Sequence, residues 1–264
     1  MDLHLTGKKA LVTGSSNGLG EAITKRLAAE GAFVVVHGRD RARAEAVART
    51  ITQAGGGAGL AIGDLATDEG ADSVHAAATG DGPVDILVNN VGVYDPGRTW
   101  TDTASEDWAG FYNTNVLTSV RMIRRLVPAM RERGWGRVIQ ISSVTGEKPQ
   151  ASQPHYAATN GARNSLAAAL ARDLKHTGVT SNSVAAGGIL TADALDKLTQ
   201  LGLQNGWGHS WEEIEPRLVE ELAPNAVGRI GRLEEYADVV AFLASPLSAY
   251  ITGATLAVDG GWAA

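Results

Sequence analysis

Short aliphatic and β-branched runs alternate along this chain with longer amphipathic stretches. Residues 9–13 (KALVT), 33–37 (FVVVH), 85–89 (DILVN), 137–141 (RVIQI) and 180–184 read as strands. Their near-continuous apolar character suits strands covered on both faces. Residues 60–62 add a weaker strand and residues 255–258 a late one. Between them lie helical patterns. Residues 21–30 end at Gly31, a C-cap glycine, and residues 41–54 end at Gly55. Ser105 is placed as the N-cap of a long helix that runs to about Gly134, with Glu106 and Asp107 in its first turn. A further helix spans residues 155–176 and stops before Gly178. Strand and helix in strict alternation predict an α/β fold: a doubly wound parallel sheet of about seven strands with helices on both faces. No linker or repeat divides residues 1–264, so one domain is expected. Residues 187–225, with helical pieces and Trp207 and Trp211, read as an excursion that forms a lid over the substrate.

The first strand runs directly into TGSSNGLG, residues 13–20, and then into a helix. Gly14, Gly18 and Gly20 allow a tight turn and close approach to a pyrophosphate at a helix N-terminus. Ser16, Asn17 and Leu19 share that loop. The spacing is GxxxGxG rather than GxGxxG, but the strand–turn–helix context is present. The second strand ends in His37-Gly38-Arg39, where an acidic residue would hold an adenosine 2′-hydroxyl. The acidic slot is empty. Arg39 can pair with a 2′-phosphate, which favours NADP(H) over NAD(H). Asp40 is assigned as the N-cap of the helix that follows. Asp64 and Leu65 follow the third strand, where Asp64 either meets the adenine or closes the strand.

Composition narrows the partners. Hydrophobic residues make up 44% of 264 residues and charged residues 20%, with a formal net charge of -6. That balance argues against nucleic acid or an anionic membrane as the main partner. There is no cysteine, which excludes disulfides, thiolate metal sites and a cysteine nucleophile. No basic region followed by an apolar run opens the chain, and no apolar run reaches the roughly 18 to 20 residues a membrane helix needs. A cytoplasmic protein without a catalytic metal is expected.

TGSSNGLG, then Asn89-Asn90-Val91-Gly92, then Ser143 thirteen positions before Tyr156, resembles the short-chain dehydrogenase/reductase family. The tail VGRIGRLEEYADVVAFLASPLSAYITGATLAVDGGW resembles its 3-oxoacyl-carrier-protein reductase and ketoreductase branch. The resemblance covers essentially the whole chain. It implies a Rossmann-type fold, hydride exchange between NADP(H) and a carbonyl/alcohol pair, and a homotetramer or homodimer. It implies that Tyr156 protonates the substrate oxygen, that Ser143 hydrogen-bonds the same oxygen, and that Asn115 holds a water in a proton relay. Asn90 and Gly92 would shape the sheet end near the cofactor. Gly187, Ile189 and Thr191 would cover the nicotinamide, although the family's usual proline there is Ala186.

The departure lies four residues after the tyrosine, where the family carries lysine and this chain carries Asn160. Positions i and i+4 share a helix face. A cation there hydrogen-bonds the nicotinamide ribose and lowers the tyrosine pKa, which is about 10 when unperturbed. Acid–base work is best near the working pH. An asparagine amide can keep the ribose bond but supplies no charge. Arg163, three residues further on the same face, either reaches back toward the site or lies at an interface paired with a carboxylate. Lys148 reads as a solvated loop cation.

Three readings follow. The first is a reductase with a rearranged tetrad of Asn115, Ser143, Tyr156 and Asn160. The second is a nucleotide-binding protein with little or no turnover. The third is that Asn160 is a substitution made to trap a complex. Tyr94, Val144, His155 and Trp207 are expected to line a partly apolar substrate pocket, with His155 near the surface. The arginine row of RMIRRLVPAMRERGWGR is either an entrance for an acidic carrier or a solvated or interfacial face.

Overall fold

The computed structural model describes residues 1–262. Its central sheet has seven parallel strands: β1 (Lys9–Val12), β2 (Phe33–Gly38), β3 (Ala58–Ile62), β4 (Ile86–Asn89), β5 (Gly136–Ser143), β6 (Val179–Ala186) and β9 (Thr255–Val258). The spatial order is β3-β2-β1-β4-β5-β6-β9. The seven runs read from the sequence are these seven strands. Alternate residues of each strand face opposite layers. Ala10 and Val12 pack with Ile23 and Leu27 of α1 (Gly18–Ala29) and with Val240 of α9 (Leu233–Ala244). Leu11 and Leu87 face the other way, onto Val74 of α3 (Asp68–Thr79) and Met122 and Leu126 of α5 (Thr118–Glu132). With both faces covered, β1 and β4 are apolar throughout except at their ends, while β6 buries the polar run Thr180-Ser181-Asn182-Ser183.

Strand order reverses between β1 and β4. In such sheets the crevice beyond the strand ends at this point is where a ligand binds. The two ends are tied together here. Thr13 N donates to Val88 O at 2.9 Å, and Asn90 Nδ2 donates to Thr13 O at 2.9 Å and Gly14 O at 3.1 Å.

Local chemistry sets several boundaries. Asp40 caps α2 (Arg41–Gln53), its carboxylate accepting from Arg43 N at 3.1 Å. The residue before α4 (Ser105–Tyr112) is Ala104, so Ser105 lies inside the helix and is not its cap. The Asp107 carboxylate reaches back to accept from Ala104 N at 3.2 Å, while no side chain at the N-cap accepts from the first-turn N–H groups. The long helix expected over residues 105–134 is broken by one π turn, Asn113–Leu117, before α5. The helix expected over residues 155–176 is α6 (Pro154–Asp173), opened by proline in its first turn.

Between β6 and α9 the chain makes the expected excursion. A two-residue ribbon pairs β7 (Ile189–Leu190) with β8 (Gly231–Arg232), and α7 (Ala192–Gln204) packs on α8 (Trp211–Leu222). Among the described residues no helix is long and apolar enough to cross a membrane.

Candidate active site

The glycine loop lies at the β1–β4 switch point. Gly14 (φ +65°) and Gly18 (φ +55°) adopt left-handed backbone that glycine favours. Gly20 is needed for space. A Cβ there would lie 2.6 Å from Asn90 Nδ2 and 2.8 Å from Ser15 Cα. The Asn17 side chain does not cap α1, so the first-turn N–H groups keep their positive field for a ligand. The loop thus leaves the N-terminus of α1 uncapped at the switch point.

His37 braces that loop. Gly14 N donates to His37 Nδ1 at 2.8 Å, and Nε2 lies 3.2 Å from Gly63 O. An accepting Nδ1 leaves the proton on Nε2. The ring is buried, and burial pushes its pKa down to about 4. His37 is therefore a neutral strut between β2, β3 and the loop. Beside it, a Cβ on Gly38 would lie 2.8 Å from Ser16 Oγ. Arg39 is exposed at the rim. Asp64 is exposed and its Oδ1 accepts from Ala66 N at 3.0 Å, a local turn, while Leu65 is buried.

The second half of the site is built by β5, α6 and the π turn. Ser143 ends β5. Its Oγ accepts from Thr145 Oγ1 at 3.1 Å. The β5 end is held close to α6: a Cβ on Gly146 would lie 2.7 Å from the Asn160 carbonyl carbon. Tyr156 stands in the first turn of α6, partly buried. Its ring meets Tyr94 edge-on at 5.1 Å. Burial raises the Tyr156 pKa above its ordinary value of 10, opposed by Arg163 first and then by the Asn160 amide and Ser143 hydroxyl. Asn160 is buried and its Nδ2 donates to Tyr156 O at 2.9 Å. The Asn115 Oδ1 accepts from Val93 N at 2.8 Å, and its Nδ2 donates to Val93 O at 3.1 Å and Thr159 Oγ1 at 3.2 Å.

Arg163 is buried directly beneath this group. Its Nε, Nη1 and Nη2 donate to the carbonyl oxygens of Asn115, Ile141 and Val91. A Cβ on Gly92 would lie 3.5 Å from its Nη2 and 3.6 Å from Asn115 Oδ1. Gly92 thus passes over the floor of the site. Among the described residues the partners of the Arg163 guanidinium are these three carbonyls, and no carboxylate pairs with it.

The excursion between β6 and α9 meets the glycine loop at Thr191. Its Oγ1 accepts from Ala194 N at 3.0 Å and caps α7, while its Cγ2 would lie 3.9 Å from a Cβ on Gly18. Gly187 passes Asp259, where a Cβ would lie 2.8 Å from the aspartate Cα. Ile189 sits in β7.

The residues expected around a substrate are scattered. Tyr94 is exposed beside Tyr156. Val144 is buried with Ala185 and Trp262. Trp207 packs inside the excursion with Leu218, Val219 and Ile230. His155, expected near the surface, is fully buried. Its ring lies 4.0 Å from Phe111 and 6.2 Å from Trp108. One residue along a helix is a turn of about 100°, which carries it off the Tyr156 face and onto α4. Lys148 is not simply solvated: its Nζ donates to Trp262 O at 3.0 Å. Arg121 and Arg125 of the arginine row pair with Asp68, and Arg125 also with Asp72, both on α3. The brace at His37 and the Thr159 link to Asn115 went unread. The strand-end position of His37 beside a glycine loop was the available signal for the first.

Fold and site together define a dinucleotide-binding oxidoreductase scaffold. Residues 8–200 match the model of the short chain dehydrogenase family, and the chain belongs to that family. It is 39% identical over 267 residues to the uncharacterized oxidoreductase YvaG of Bacillus subtilis, covering 99% of this chain and 98% of that protein. It is 35% identical over 261 residues to the 3-oxoacyl-[acyl-carrier-protein] reductase FabG of Escherichia coli, covering 98% of each. The structure of L-sorbose reductase from Gluconobacter frateurii, complexed with NADPH and L-sorbose, superposes with a TM-score of 0.91 at 34% identity, covering 99% of this chain and 98% of that one.

Proposed function

We propose that this chain is an NADP(H)-dependent oxidoreductase that interconverts a small carbonyl compound and a secondary alcohol, with Tyr156 as acid and base. One observation carries the reading: Ser143 ends β5 and Tyr156 stands in the first turn of α6, on two segments packed so closely that a Cβ on Gly146 would lie 2.7 Å from the Asn160 carbonyl carbon. NADPH or NADP is named in the solved relatives from G. frateurii and Agrobacterium tumefaciens, and the exposed Arg39 suits the 2′-phosphate. Gly14, Ser16, Asn17, Gly18, Leu19 and Gly20 would hold the pyrophosphate, with Asp64, Leu65, Asn90 and Gly92 along the adenosine and ribose side. Gly187, Ile189 and Thr191 would close over it from the lid at residues 187–225. When bound, the nicotinamide supplies or takes the hydride.

The chain's own part is proton transfer. In reduction the Tyr156 hydroxyl gives its proton to the substrate oxygen as negative charge grows there. Ser143 hydrogen-bonds the same oxygen. Tyr156 is left as phenolate and regains a proton from solvent by way of the Asn115 region. In oxidation the phenolate takes the alcohol proton. Tyr94 lines the entrance.

The alternative, a nucleotide-binding protein with little turnover, draws on Asn160, whose amide is engaged by its own helix and carries no charge. NADPH consumption against ketoses, ketones and β-keto esters separates the two. The proposal expects steady turnover, with Tyr156→Phe slower by roughly 10²–10⁴-fold. Undiminished turnover in Tyr156→Phe defeats it. Light scattering is expected to report more than one chain per particle.

A further inference from the structure

We propose that Arg163 supplies, from beneath the site, the positive charge on Tyr156 that a lysine at position 160 supplies elsewhere in the family. The inference rests on Tyr156 being the acid and base.

The placement follows from helix geometry. Seven residues are almost two full turns, so Arg163 returns to the Tyr156 face about 10 Å further along α6. Helical side chains lean toward the N-terminus, so a long one travels back toward the tyrosine. Its end lands where three backbone carbonyls converge: Val91 after β4, Ile141 in β5 and Asn115 in the π turn. A planar fork of donors fits three diverging acceptors, which a lysine cannot match.

The charge at that point is uncompensated. Among the described residues the one ionisable neighbour that acts on Arg163 is Tyr156. Burial pushes the Arg163 pKa down to about 10, so it remains a cation at neutral pH. A buried cation without a carboxylate has no structural need to be charged, because carbonyl acceptors can be matched by neutral donors. What it does gain is attraction to a phenolate. The groups that act on the Tyr156 hydroxyl are Arg163, Asn160, Ser143 and Tyr94. Arg163 is the strongest of those that favour ionisation. The π turn contributes by aiming the Asn115 carbonyl at the guanidinium.

Arg163 acts through Tyr156 and touches neither reactant, so it is a positioning residue. A purely structural clamp is the rival account, and charge separates the two. The experiment titrates the Tyr156 phenolate by absorbance, each protein measured against its own Tyr156→Phe partner. The pH profile of alcohol oxidation is recorded alongside. Arg163→Met is expected to move both upward by about one pH unit or more, a tenfold loss of rate at fixed pH below the limb. Arg163→Lys, which keeps the charge, stays within a few tenths of the parent. An unmoved phenolate in Arg163→Met, or an equal shift in Arg163→Lys, overturns the proposal. If Arg163→Met does not fold, Arg163→Gln, whose neutral amide can still donate to the buried carbonyls, is compared with Arg163→Lys. The phenolate must then titrate higher in Arg163→Gln, and equal values overturn the proposal. The titration does not depend on turnover. Full activity in Tyr156→Phe with an Arg163-dependent phenolate would defeat the catalytic reading and leave the electrostatic one standing.

Discussion

A neutral histidine carries the glycine loop, and its cost appears at low pH. The folded pKa of His37 is about 4 against an ordinary 6.5, because burial disfavours the charged ring. Below pH 6.5 the unfolded chain binds a proton that the folded chain refuses, so stability falls as pH falls from 6.5 toward 4. The full difference is about 3 kcal/mol. Urea unfolding at intervals across that window is expected to show this slope, and His37→Gln to flatten most of it. The burial of His155 also pushes its pKa down and adds to the slope in the same sense. At the rim, Arg39→Ala is expected to raise KM for NADPH by roughly ten- to a hundredfold, the worth of a charged hydrogen bond, with little change for NADH. An unchanged NADPH:NADH preference would remove Arg39 from the 2′-phosphate.

At the scale of elements, the α7–α8 pair, proposed as the lid, is the part whose packing can be loosened without touching the sheet. Gly202 of α7 lies against Ile214 of α8, where a Cβ would sit 2.7 Å from Cγ1 and 2.8 Å from Cδ1. Ile214 is fully buried. Gly202→Val is expected to push α7 from α8, to open residues 187–225 to limited proteolysis and to raise KM, while far-UV signal and the sheet persist. Equal protease resistance in the variant would mean that the two helices adapt. Legibility also sorts by element. The inner strands β1, β4 and β5 were readable because they are fully buried and carry apolar runs, whereas the edge strands β3 and β9, only half-buried, gave weaker signals. The π turn was not readable, since α4 before it buries no residue and so offers no apolar stripe against which a shift of phase could be read. The buried position of His155 was hidden for a related reason. Its cavity is made by Trp108 and Phe111 of another helix, and a polar ring gives no hint that it stacks there. The placement of Ser143 at the end of β5, Tyr156 in the first turn of α6 and the glycines between β1 and α1 was legible from the strand and helix pattern around them. For Arg163 the sequence left two readings open, because its acceptors are backbone carbonyls, which every residue has.

Taken whole, the molecule neutralises much of its own charge. The arginines of α5 that suggested a docking row for an acidic carrier are partly tied to α3 within the same chain. A small-molecule substrate needs no such row. The site therefore depends on what converges at the switch point: glycine loop, Tyr156, Ser143, and a cation reached from position 163 rather than 160. The most direct measurement is NADPH consumption with a panel of carbonyl compounds, from about pH 6 to 10, for this chain and Asn160→Lys side by side. Turnover by this chain near neutral pH, with little or no gain from the added lysine, is the expected result. A silent parent beside a working lysine variant would contradict it, leaving a scaffold that lacks its charge.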